Sequence, residues 1–79
     1  MTKKEMKATI EESINWEMKY VTRLSDKRKL TDNKDEREKL TGLINFTLDS
    51  IITKIEMATE LGLFTKDDRE KWLKEFYEF

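Results

Sequence analysis

The chain has no cysteine, no histidine and no proline, and its only glycines stand at positions 42 and 62. Without cysteine no disulfide can form, and zinc sites built on thiolates are excluded. Without histidine the chain lacks the usual general base at neutral pH, the commonest metal ligand and the side chain best suited to sensing pH near 6.5. Ser13, Ser25 and Ser50 therefore have no partner for a serine triad. Two glycines twenty positions apart do not make a phosphate-binding loop. The absence of proline lets helices run without interruption. No apolar run approaches the roughly 18 residues that a membrane span needs. The opening MTKKEMKATI lacks the apolar core of a secretory signal, so a cytoplasmic protein without membrane contact is expected.

What is present is charge and helix-forming apolar residues. Charged residues make up 42% of the 79, yet sixteen Lys and Arg nearly cancel seventeen Asp and Glu, leaving a formal net charge of -1. That balance implies neither a nucleic-acid footprint nor an acidic mimic of one. Clustered Ile, Leu, Phe and Trp separate the chain from disordered sequences of similar polarity. Its length suits a single domain, residues 1–79, able to bury only about 60% of the surface its unfolded chain exposes.

The apolar residues recur at helical spacing. Thr2, with Glu5 three positions on, predicts a capped helix start. From there Met6, Ile10, Ile14, Val21 and Leu24 fall on one face at about 100° per residue, with Met18 at its margin. The pattern fades in SDKRKLTDNKDE, and a turn is expected over Asp26 to Asn33. Asp32 or Asn33 can cap a second helix whose core face is Leu40, Ile44, Leu48, Ile51, Ile55 and Ala58. It should end at Gly62, with Leu63 folding back on the last turn. Thr65 can cap a third helix, its first turn bearing Asp67 and Asp68, that carries Trp72, Leu73, Phe76 and Phe79 on one side with Tyr77 at the edge. The expected fold is all-α: a long antiparallel hairpin, about 3–28 and 34–61, with a short C-terminal helix at about 66–78 lying across one end.

One hairpin interface does not use all the apolar surface. Leu43, Phe46, Met57 and Leu61 point well away from the main stripe of the second helix, and Trp16 and Tyr20 do so on the first. With a turn near residue 30, Tyr20 should lie level with residues 40 to 43, bringing Leu43 and Phe46 close to the Trp16 and Tyr20 region. A third helix of about 13 residues spans only about 20 Å and cannot cover both ends. Trp16, Tyr20, Leu43, Phe46 and Met57 are therefore expected to form a protein interface, in a homodimer or with another protein, because large apolar patches are rarely left open and interface cores favour aromatic residues and Met. The competing reading makes these residues ordinary core of a three-helix bundle.

Chemistry finds little support. A serine–lysine pairing, for example Ser50 and Lys54 one turn apart, finds poor ground in a thin bundle for a buried oxyanion site. Glu12, Asp49, Glu56 and Glu60 lack the histidines of di-metal bundles, and TDNKDEREKL lacks the glycine and ligand spacing of a calcium loop. No cofactor, metal or catalytic residue is expected, and the chain reads as a non-enzyme. The alternative is a small nucleic-acid-binding regulator using Lys27, Arg28, Lys29, Lys34 and Arg37 near the turn, among Lys19, Arg23 and Lys39. Positions 26 to 39 hold six basic and five acidic residues, too even a balance for much counterion release. The ending KWLKEFYEF mixes both signs and lacks the basic polar face of a lipid-binding helix. The favoured function is a small helical interaction protein, an adaptor or inhibitor of another protein, with the composition of a bacterial, phage or mobile-element product.

Overall fold

A computed structural model describes residues 1–78, and the described chain forms three helices: α1 (Lys3–Leu30), α2 (Lys34–Glu60) and α3 (Lys66–Glu78). The two long helices make an antiparallel hairpin and α3 folds back on it, as the periodicity predicts. Phe79, expected on the apolar side of α3, lies outside the described residues.

Each boundary has a local cause. Thr2 Oγ1 accepts from the Glu5 amide at 3.1 Å and donates to the Glu5 carboxylate, which closes the start of α1. Of the two candidates for α2, Asn33 is the cap, its Oδ1 accepting from the Glu36 amide at 3.0 Å. Gly62 takes φ 74°, and the Leu63 amide donates to the Ala58 carbonyl while the Gly62 amide donates to that of Thr59. These are the paired bonds of a Schellman closure. At α3 the cap is reciprocal: the Asp68 amide donates to Thr65 Oγ1, and the Thr65 amide donates to Asp68 Oδ2 at 2.9 Å.

The turn is shorter than expected. α1 continues through Asp26 to Leu30, leaving only Thr31 to Asn33 outside helix. No glycine or proline interrupts SDKRKL, and Lys27, Arg28 and Lys29 in the last turn complement the negative end of the helix dipole. Cross-helix contacts give the register. Lys54 reaches Glu17 and Ser13, and Arg28 reaches Thr41, so Tyr20 stands about level with Ser50 and not with residues 40 to 43.

The core runs between the hairpin helices: Ile14, Ile51, Ile55 and Ala58 are wholly buried, with Val21, Leu24, Leu40 and Ile44 beside them. Met6, expected in this stripe, remains 38% exposed near the open end of the hairpin, where neighbours run out. Phe64 and Trp72 close that end as a stacked pair with ring centres 6.3 Å apart. Thr47, at the core margin, is buried because its hydroxyl donates to the Leu43 carbonyl at 2.8 Å, which removes the cost of an unpaired polar group.

Candidate functional site

The two flanks of the hairpin differ in what covers them. On α1, Lys7 and Glu11 lie to one side of the Ile10–Ile14–Val21 stripe, and both reach α3: Lys7 Nζ pairs with Asp68 Oδ2 at 2.9 Å, and Trp72 Nε1 donates to Glu11 Oε2 at 3.3 Å. On α2 the same side carries Glu56, gripped by Arg69 at 2.7 and 3.3 Å. Two amide and ammonium donors, Thr65 N and Lys7 Nζ, hold the Asp68 carboxyl down at about 2. The reciprocal bond raises Lys7, and the Glu56 carboxylate raises Arg69. Charge pairing therefore fixes α3 to one flank.

Among the described residues no helix lies over the other flank. It is marked by Lys54 of α2, whose Nζ lies 2.6 Å from both Glu17 Oε1 and Ser13 Oγ of α1. Around this ion pair, Trp16 and Tyr20 follow Ser13 at spacings of three and four residues, and Leu43, Phe46, Ser50 and Met57 share a line on α2. Trp16 is 59% exposed, Leu43 46%, Phe46 75%, Met57 54% and Leu61 61%. Tyr20 is half-buried and stacks on Trp16 with ring centres 5.4 Å apart and planes 13° from parallel. The indole is thus exposed to solvent yet held in one orientation, as an anchor for a contact should be.

All five residues expected at an interface lie on this open flank. Their order along it differs from the expectation: the shifted register leaves Trp16 and Tyr20 at the centre, Leu43 and Phe46 toward the turn, and Met57 toward the open end. Periodicity did not indicate the ion pair between them. Ser13 and Glu17 are one turn apart at the stripe's edge, but nothing in the sequence specified that Lys54 would cross to them. The lysine pairs with Ser13 and not with Ser50, and because its ammonium donates to a carboxylate it serves as a clamp between helices.

The basic residues near the turn are spread over several surfaces. Arg28 is turned inward to Thr41 Oγ1 at 3.2 Å, while Lys34 and Arg37 line an open depression with Asp32 and Glu38. Lys27 and Lys29 end α1. Among the described residues a separate groove, lined by Val21, Ile44, Leu48 and the Phe76 and Tyr77 of the last turns of α3, is open to solvent. Among the described residues no group of three acidic side chains converges to hold a metal ion, and no helix is long and apolar enough to cross a membrane. Comparison of the chain with protein-family models, curated proteins and solved structures finds no match.

Proposed function

We propose that this chain is a non-enzymatic interaction protein, an adaptor or inhibitor that pairs with itself and binds and modulates another protein through exposed helix faces. The supporting observation is the open flank: Trp16, Leu43, Phe46 and Met57 stay exposed on a face that α3, pinned to the opposite side, cannot reach. Large apolar side chains left exposed along one face support an association surface in a small domain. The side chains around it, Tyr20 and Trp16 above all, are of the types that anchor interfaces. A cytoplasmic setting fits this reading.

Affinity capture from the native cell tests it, with Trp16→Ala and Phe46→Ala as controls whose helix content is checked by circular dichroism. One reproducible protein partner, lost in both variants while helicity persists, is the expected result. A partner retained by both variants refutes the reading.

A nucleic-acid regulator is the second reading, favoured by one observation: Lys19, Arg23 and Lys27 are exposed at four-residue spacing along α1. Retarded migration of DNA or RNA that weakens with salt would support it, and no shift even at low salt would end it.

A further inference from the structure

We propose that α3 is a charge-held latch: it releases from the hairpin as one unit, pivoting at Thr65 and unwinding as it leaves, while α1 and α2 stay paired. This stands apart from the reading of the open flank, because it concerns the opposite side of the hairpin. The backbone marks the pivot. The Leu63 and Phe64 amides both donate to the Ala58 carbonyl, at 2.8 and 3.1 Å, which ties the connection to α2 as far as Phe64. At Thr65 the bonds change direction. Its amide donates to Asp68 Oδ2, its hydroxyl accepts from the Asp68 amide and its carbonyl accepts from the Arg69 amide, so all three point into α3. A turn between Phe64 and Thr65 therefore breaks none of the backbone bonds that close α2.

What holds α3 down is concentrated near this pivot. Neighbouring residues clamp to different helices: Asp68 reaches Lys7 of α1 at 2.9 Å, and Arg69 reaches Glu56 of α2 at 2.7 Å. One turn on, the Trp72 indole donates to Glu11 and its ring enters the core, while Leu73 and Phe76 are partly buried beside it. Farther along, Phe76 and Tyr77 wall a solvent-open groove with Val21, Ile44 and Leu48. The channel between α1 and α2 thus runs on past the end of the helix that fills it.

Released, α3 has little to keep it helical. Its 13 residues are at the margin of what stands alone in water. Its last turn carries Glu75 and Glu78 and no base, so the negative end of its dipole goes unanswered. Undocking and unwinding are therefore one event. The hairpin does not share this weakness, because Ile14, Ile51 and Ile55 are wholly buried in its core and Lys54 clamps it to Glu17 from the other side. Release uncovers a second apolar surface, the seat of Trp72 and the channel beside it. Ionic strength is the signal that frees it, since screening weakens exposed ion pairs and leaves apolar burial in place.

Native-state hydrogen exchange on the full chain tests the latch. The amides from Glu70 to Tyr77 are expected to share one opening constant, larger than that of Ile14 and Ile51 and less dependent on denaturant. That constant should rise roughly three- to tenfold between low salt and about 0.5 M salt. Glu56→Arg should raise it by on the order of tenfold, and adding Arg69→Glu should restore most of the loss, with hairpin protection unchanged in both. The salt series on the wild type decides the same question without a variant. Amides that fray in a gradient from Glu78 inward overturn release as a unit. Exchange of α3 only together with the hairpin overturns the latch altogether. An opening constant indifferent to salt, or unrestored by the charge exchange, overturns the part assigned to charge.

Discussion

Asp68 joins three jobs in one side chain: it completes the cap of α3 through the Thr65 amide, pairs with Lys7, and thereby holds two helices together. Its carboxyl sits at about 2 against an ordinary 3.8, so the unfolded chain takes up the proton first as pH falls. The contribution of Asp68 is complete above pH 3.8 and is lost as pH drops through about 2. Acid titration followed by the amide signals of α3 should show its first turn loosening in that window, and Asp68→Asn should flatten the pH dependence there. An unchanged acid profile in the variant would remove Asp68 from this role. At Ile55, wholly buried, truncation to Ala should cost about 2 to 5 kcal/mol in chemical denaturation. Phe46, three-quarters exposed, should cost the dilute monomer less than about 0.5 kcal/mol on the same change.

Among the elements, the connection from α2 to α3 is the most closely specified. Gly62→Ala forces a side chain into φ 74° and should destabilise the fold by about 1 to 2 kcal/mol. Thr65→Ala removes the acceptor for the Asp68 amide and should cost about 0.5 to 2 kcal/mol, with hydrogen exchange accelerating in α3 before the hairpin. Uniform acceleration through all three helices would contradict an α3 that opens separately. These ends were legible in the sequence because capping is local chemistry: Thr2, Asn33, Gly62 and Thr65 each act within four residues. The end of α1 was less legible, since polar residues in SDKRKL fit a turn or a helix equally, and dipole complementarity decided for helix. Phe64 escaped the helical pattern because it lies in the connection, where it is buried in the core cluster and stacks on Trp72. The cross-helix pairs of Lys7, Glu11, Lys54 and Arg69 depend on register and on where α3 lands, which no local pattern contains.

For the whole molecule, the decisive feature is asymmetry between the two flanks of a hairpin. Three polar contacts commit α3 to one flank, and the other keeps Trp16 and its line of apolar side chains in water. Which residues point outward was readable from spacing alone; that they share one face, centred on one level, required the register. Because association adds stability by mass action, thermal unfolding should shift upward with protein concentration in the wild type and not in Phe46→Glu. Acrylamide quenching of tryptophan fluorescence tests the central claim most directly, since Trp72 is buried and only Trp16 is open to the quencher. Quenching of Trp16 should be strong in dilute protein and fall toward the level of a buried indole as concentration rises. Trp16 that stays equally accessible at every concentration, and in the presence of any captured partner, would contradict an open flank built for association.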